Sequence, residues 1–134
     1  MPNRRQSGFS LVPALFVLVV LAGLGVVAVR MMAVQQQTVV LAMQSARAYA
    51  AARTGIDWSA YQAVVNNSCA SATLTLTEGG LAGFSVETSC SSTTHSEGPN
   101  TVSVYVIDAF ARSGSYGTPD YVSRRIRSTV TDAT

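Results

Sequence analysis

The sequence predicts an α+β fold in which one long N-terminal helix packs on a small antiparallel β-sheet. Three observations predict it. Residues 9–29 contain no charged side chain, and residues 30–53 contain neither glycine nor proline and are rich in strong helix formers. From residue 68 onward, β-branched residues alternate with polar ones. We therefore expect a helix with an apolar first half and an amphipathic second half, and the second half to cover the apolar face of the sheet.

The apolar segment has the length of a membrane span. As a helix its 21 residues measure about 31 Å, close to the thickness of the hydrocarbon core of a bilayer. Arg4 and Arg5 precede the segment, so the positive-inside rule places the N-terminus in the cytoplasm and the remaining chain across the membrane. We assign a transmembrane helix to residues 9–30.

The helix is expected to continue beyond the membrane as an amphipathic extension over residues 31–67. Aliphatic and small side chains recur near one helical face. They are Val34, Leu41, Ala48 and Ala52. Gly55 is expected to stop or kink the main helix, and a short helical continuation then reaches Asn67.

Residues 68–134 are predicted to form a small β-sheet domain. Side chains alternate with a period of two in segments 73–77, 83–89, 101–106 and 121–131. Glycine-containing turns separate these segments at 79–80, 98–100 and 114–119. Three or four strands joined by short turns form an antiparallel sheet.

Cys69 and Cys90 lie on the far side of the predicted membrane span. In an oxidising compartment such a pair forms a disulfide, which closes a loop of about 20 residues and stabilises the fold by roughly 3 kcal/mol. The alternative is two unpaired thiols.

Metal and cofactor sites are not indicated by the sequence. Two cysteines and His95, which we interpret as a solvated residue of a polar loop, are too few for a metal site. The acidic residues of the β domain lack the dense spacing of an EF-hand loop. They include Glu78, Glu87, Glu97 and Asp120. We expect no metal and no cofactor.

Enzymatic activity and nucleic-acid binding are not indicated either. No nucleophile–base pair follows from the spacing of the residues, and the glycine pair at 79–80 is a turn rather than a phosphate loop. The arginines are scattered apart from two small groups, which is too sparse for a nucleic-acid interface. We expect a protein that is not an enzyme and has no nucleic-acid partner.

Two surface features allow two interpretations each. Trp58 and Tyr61 are expected to pack on the sheet, and the alternative is a contact with a neighbouring subunit. The three arginines near the C-terminus are expected to be the solvated face of an edge strand, and the alternative is attachment to an acidic partner surface. They are Arg124, Arg125 and Arg127.

The apolar run itself has three explanations. A secretory signal peptide would be cleaved near Ala22–Gly23, but helical sequence continues for about thirty residues beyond that point. A simple single-pass anchor explains length and orientation but not the junction between Gly8 and Phe9. A prepilin signal, cleaved on the cytoplasmic side before the apolar run, fits most of the residues in this region.

The chain resembles the type IV pilin and pseudopilin family. The resemblance rests on the basic leader ending in Gly8, on Phe9, on G-F-S-L-V-P-A-L-F-V-L-V-V-L-A-G-L-G at 8–25, on A-R-A-Y-A-A-A-R-T-G-I-D-W at 46–58, and on the small β domain with its cysteine pair. It implies a pilin-like fold and a leader peptide over residues 1–8. A prepilin peptidase would cleave after Gly8 and methylate the new amino group of Phe9.

The resemblance also implies a location and partners. The chain is expected in the bacterial inner membrane as a single-pass protein, with its C-terminal domain in the periplasm or at a pilus tip. The expected partners are other major and minor pilins, the prepilin peptidase, the inner-membrane assembly platform and membrane lipid.

Pro13 departs from the family pattern, which usually has a glutamate at this position. In the family, that acid faces the positively charged N-terminus of a neighbouring subunit. Proline cannot make this contact, although it is tolerated in the first turn of a helix. The missing acid implies a minor subunit that initiates or caps a fibre. A type II secretion pseudopilin and an adhesin-like surface-binding protein are the alternatives.

Overall fold

The computed structural model describes residues 11–132, and it confirms the α+β fold. A 54-residue helix, α1, is followed by four strands. The elements are α1 (Leu11–Val64), β1 (Ala72–Leu76), a single 3-10 turn (Gly79–Leu81), β2 (Phe84–Glu97), β3 (Asn100–Ser113) and β4 (Val122–Thr131). The chain forms two compact units, one ending at Val40 and the other beginning at Leu41.

The described part of the first unit is helical and bears only exposed side chains. Within residues 11–132, α1 is the one helix that is long and apolar enough to cross a membrane, with a mean hydropathy of 2.8 over its most apolar window. Large aliphatic side chains cover all sides of its first half, as lipid contact requires. This composition suggests a single membrane anchor.

The second unit contains the sheet, whose strands follow one another in the order β1-β2-β3-β4. All neighbouring strands are antiparallel, and β2 and β3 form the longest pairing, from Ser85↔Arg112 to Glu97↔Asn100. Gly98 has a φ of 62° in the tight turn between them, a conformation that glycine adopts without steric cost.

The prediction of a polar loop around His95 is wrong. Residues 91–97 are the second half of β2, and His95 pairs with Val102 of β3. The side chains of this half are almost all exposed, because it extends beyond the part of the sheet that the helix covers. Without a buried face, the segment lacks the alternation of apolar and polar residues by which a strand is recognised.

The core lies between the second half of α1 and one face of the sheet. The helix contributes mainly small buried residues at helical spacing. They are Ala48, Ala51, Ala52, Gly55, Ile56, Ser59 and Ala63. The sheet contributes Phe84 and Val86 of β2 and Ile107, Ala109 and Ala111 of β3. The small side chains allow the helix backbone to approach the sheet closely.

The predicted stop at Gly55 is wrong, because α1 continues without a break to Val64, and the predicted helical continuation is confirmed. A Cβ atom at this position would lie 2.5 Å from Cγ1 of Val86 and 3.3 Å from Cβ of Ala109. Glycine is therefore required for packing rather than for termination. The helix ends near the predicted Asn67, which has a φ of 51° and precedes Ser68, whose N–H donates to the carbonyl of Gln62.

The two aromatic residues near the end of α1 differ in burial. Trp58 is half-buried, whereas Tyr61 is 57% exposed. The expectation that both pack on the sheet is wrong for Tyr61, because the sheet-facing positions of this turn are taken by Ser59 and Ala63.

The structure contains the disulfide between Cys69 and Cys90, with their Cα atoms 5.2 Å apart. It joins the segment that follows α1 to the middle of β2, which continues beyond Cys90 to Glu97. Cys90 is half-buried and packs against the core.

Two arginines form hydrogen bonds between the helix and the sheet domain, one on each side of the helix. Nε of Arg47 donates to the carbonyl oxygen of Gly80 at 2.6 Å, and its guanidinium lies 6.0 Å from the ring centre of Phe84. On the β4 side, Arg124 donates to Oγ of Ser45 through two nitrogens, at 3.1 and 2.5 Å.

Candidate functional site: the outer face of the sheet

The residues singled out for processing lie mostly outside the described part of the chain. Gly8 and Phe9, with the rest of the predicted leader, are not among residues 11–132. Pro13 is described: it is helical, exposed and the third residue of α1. The helix therefore accommodates proline at this position.

The three C-terminal arginines occupy two faces of the sheet rather than one. β4 is an edge strand, as expected. Arg124 pairs with Ala111 and belongs to the helix-facing side, whereas Arg125 and Arg127 belong to the opposite side. The expectation of a single solvated arginine face is therefore wrong for Arg124, which bonds to the helix.

The opposite side, which we call the outer face, carries a row of four side chains in direct register. Thr73 of β1 pairs with Glu87 of β2, Glu87 with Phe110 of β3, and Phe110 with Arg125 of β4. Directly opposite side chains on one face lie about 5 Å apart, so these four are neighbours across the whole sheet.

Ion pairs flank Phe110 on both sides. Nη2 of Arg112 lies 2.5 Å from Oε1 of Glu87. Arg127 donates from Nε to Oδ2 of Asp108 at 2.9 Å, and its Nη2 lies 2.8 Å from the same oxygen. The hydrogen bond to Asp108, together with the attraction between the two charges, raises the pKa of Arg127 above its ordinary value. Both pairs are partly exposed to solvent, so each stabilises the fold only slightly.

Arg125 differs from its neighbours because it has no carboxylate partner. Its guanidinium carbon lies 5.1 Å from the ring centre of Phe110, which is the distance of a cation–π contact. Among the described residues it forms no hydrogen bond and no ion pair. The arginine is exposed, so its N–H groups are available to a ligand.

A cleft of about 530 Å³ lies over this region. All four strands contribute to its lining, together with the segment that precedes β1. The lining residues are Ser71, Ala72, Thr73, Glu87, Thr88, Ser89, Asp108, Phe110 and Arg125. The cleft thus combines hydroxyl groups, one aromatic ring, two carboxylates and one guanidinium.

Sequence reasoning did not find this cleft. Glu87, Phe110 and Arg125 are distant in the chain, and only the strand register brings them together. The alternation of Arg125 and Arg127 against apolar neighbours placed both on one face, but it did not reveal which residues lie beside them.

The described residues contain no group of three or more histidine, cysteine, aspartate or glutamate side chains positioned to hold a metal ion. The two carboxylates of the cleft, Glu87 and Asp108, are engaged with arginines instead.

Comparisons with known proteins give no relative: no protein-family model, no curated protein and no solved structure matches this chain.

Proposed function

We propose that the protein is a minor pilin-like subunit that helps to initiate or cap the assembly of a type IV pilus after cleavage by a prepilin peptidase. The pilin-like architecture supports this proposal: a long N-terminal apolar helix, a small antiparallel sheet packed on its second half, and a disulfide. In this role the chain is a substrate of the peptidase and not itself an enzyme.

The observation that carries the proposal is Pro13. A charged side chain within hydrocarbon costs about 3 kcal/mol or more unless it is paired, so an acid at this position selects a correctly docked neighbour. A subunit with proline at this position lacks that selection and is suited to one end of a fibre. Because Pro13 lies within α1, the substitution removes the charge and retains the helix.

Two segments of the sequence also resemble one particular minor pilin-like protein. The segments at 8–25 and 46–58 resemble those of MshP, a minor pilin-like protein of the mannose-sensitive haemagglutinin pilus system. On this basis we assign the chain to an MSHA-like pilus. We place it in the bacterial inner membrane, its sheet domain in the periplasm, with major and minor pilins and the assembly platform as partners.

Substitution of Pro13 tests this role. In the bacterium that produces the protein, its deletion should reduce the number of pili counted by electron microscopy. Pro13→Glu should restore the docking charge, so the subunit should enter along the fibre or disturb initiation. Pro13→Ala is the matched control, because it removes the proline without adding an acid, and it should behave as the wild type.

Three other results would contradict the proposed role of Pro13 or identify a different function. Unchanged piliation and subunit placement in Pro13→Glu would refute the proposed meaning of Pro13. Normal piliation with reduced surface attachment after deletion would identify an adhesin-like protein. Normal piliation with a loss of exported enzymes would identify a pseudopilin of a type II secretion system.

A further inference from the structure

The outer face of the sheet contains one positive charge that the fold does not neutralise. Arg112 and Arg127 are paired with Glu87 and Asp108, respectively. Arg125 is stacked on Phe110 and has no acidic partner among the described residues. Stacking restricts its side chain, so less conformational freedom is lost when the planar guanidinium binds a carboxylate through two parallel N–H bonds.

We propose that this cleft binds a short extended segment of a partner protein that carries one carboxylate, and that Arg125 holds that carboxylate. The proposal goes beyond the pilus role and does not depend on it, since it concerns only the sheet and its side chains.

The charges within the cleft favour a single carboxylate over a polyanion. Arg112 and Arg127 offset the charges of Glu87 and Asp108, so these two ion pairs and Arg125, three arginines and two carboxylates, leave a net charge of one positive unit. One carboxylate balances that charge. A nucleic-acid backbone or an acidic polysaccharide brings several negative charges together and finds no second free cation among the described residues of this cleft.

The aromatic ring of the cleft argues against a neutral sugar as the ligand. Sugars bind aromatic side chains by stacking on an open ring face. The guanidinium of Arg125 already lies over one face of the half-buried Phe110 ring, so that face is covered. On this side of the ring the cleft presents the guanidinium to a ligand.

The dimensions fit a peptide segment. The cleft crosses four strands, and three inter-strand spacings of about 4.8 Å span about 14 Å, the length of roughly four extended residues. Its volume of about 530 Å³ lies in the ordinary range of ligand sites. Hydroxyl groups of Ser71, Thr73 and Ser89 line the side away from Arg125, where they are able to bond to the peptide backbone of the segment.

Nuclear magnetic resonance of the full-length protein in detergent micelles tests this proposal directly. The probe is the capped tetrapeptide acetyl-Ser-Thr-Val-Glu-amide, and the signal is the Nε–H resonance of Arg125 in ¹⁵N-labelled protein. We expect a saturable shift of that resonance. The analogue with glutamine in place of glutamate should bind about tenfold more weakly, because it loses the charge-assisted hydrogen bonds.

Variants of the protein locate the binding site. Arg125→Gln should abolish the response, as followed at the amides of Glu87 and Phe110, and Arg125→Lys should retain part of it. Arg53→Gln is the matched control. Arg53 is an exposed arginine on α1, remote in sequence from the cleft, and it has no polar partner in the described structure. This variant should bind the peptide as the wild type does. Superimposable backbone spectra of the variants establish that they are folded.

Three results would overturn the proposal. Equal affinity for the glutamate and glutamine peptides would exclude carboxylate recognition, and unchanged binding by Arg125→Gln would exclude Arg125. Tighter binding of a ten-nucleotide oligothymidylate or of an oligoglucuronate than of the peptide would assign the cleft to a nucleic acid or to an acidic glycan. The piliation of the bacterium does not affect any of these outcomes. The pilus role and peptide binding by the cleft are therefore tested independently.

Discussion

Gly55 occupies the point at which α1 comes closest to the sheet. The position that a Cβ atom would take is 2.5 Å from a methyl group of Val86 and 3.1 Å from one of Thr88. Neither neighbour is able to retreat, because both are buried in the core at no more than 3% exposure. The helix tolerates a glycine in its interior here, despite the cost in helix propensity, because no other residue fits.

Replacement of Gly55 by alanine should therefore destabilise the sheet domain. Alanine improves helix propensity by about 1 kcal/mol, but overpacking of a rigid core costs about 1–3 kcal/mol, and a contact of 2.5 Å favours the upper end of that range. We expect a net loss of about 1–2 kcal/mol in the free energy of unfolding. Chemical denaturation in micelles, followed by circular dichroism, measures it.

Gly25 of the same helix provides the matched control. A Cβ atom at Gly25 would meet no heavy atom within 4 Å, so Gly25→Ala tests helix propensity without overpacking. It should leave the unfolding of the sheet domain unchanged. Equal unfolding midpoints for Gly55→Ala and the wild type would show that α1 shifts to accommodate the methyl group.

The elements of the fold were predictable where a buried face left a period in the sequence. The part of α1 from Ala48 onward, the first half of β2 and β4 all follow that rule. The strand predicted at 101–106 covers only the first half of β3, which continues to Ser113. The predicted apolar face of the extension is wrong at Val34 and Leu41, which are exposed. Residues 91–97 do not follow the rule, because no element covers them and their side chains show no period. Strand pairing with β3 keeps residues 91–97 extended. Pairing depends on two segments of the chain, so the sequence of one segment alone does not predict it.

The outer face shows the same limit for the candidate site. Alternation along β4 correctly separates Arg125 and Arg127 from the apolar side of the strand. The partners of those arginines depend on the register between β3 and β4, which a shift of one residue would change completely. The cleft was therefore not predictable, and the predicted third strand ended at residue 106, before Asp108 and Phe110 of the cleft.

The disulfide joins the segment before β1 to β2, the strand with which β1 pairs. It ties the chain between α1 and β1 to the middle of β2, and the two cysteines are 21 positions apart in sequence. β1 is only five residues long and lies at the edge of the sheet. So short an edge strand is weakly stabilised by its own contacts, and the disulfide helps to keep it in place.

Removal of the disulfide should lower the free energy of unfolding of the sheet domain by about 3 kcal/mol, since the unfolded chain gains the entropy of the opened loop. The double variant Cys69→Ala/Cys90→Ala avoids a new unpaired thiol and is the appropriate form. Its unfolding midpoint should match that of the reduced wild type. If reduction of the wild type leaves the midpoint unchanged, the cross-link does not stabilise the fold. Finding both thiols unmodified in protein isolated from the periplasm would contradict the predicted membrane topology as well.

At the scale of the whole molecule, the chain combines a unit suited to lipid with a unit suited to water. The first exposes large aliphatic side chains on all sides, and the second buries its apolar residues between helix and sheet. One uninterrupted helix, α1, passes from the first unit into the second. A removable signal peptide would be cut within this helix, whereas a membrane anchor or a prepilin would keep α1 whole, so these possibilities predict different mature N-termini.

The position of N-terminal processing is the prediction that decides between these possibilities. We expect cleavage between Gly8 and Phe9 and methylation of the new amino group, because a basic leader directly precedes the apolar run of the sequence. Mass spectrometry of the protein extracted from membranes of the producing bacterium measures both. A Gly8→Leu variant is the control, since it should remain uncleaved while the sheet domain still folds. A mature terminus near Gly23 would identify a secreted domain and refute the pilin interpretation. An intact terminus in the wild type would identify a simple membrane anchor, and Pro13 would then have no docking role to explain.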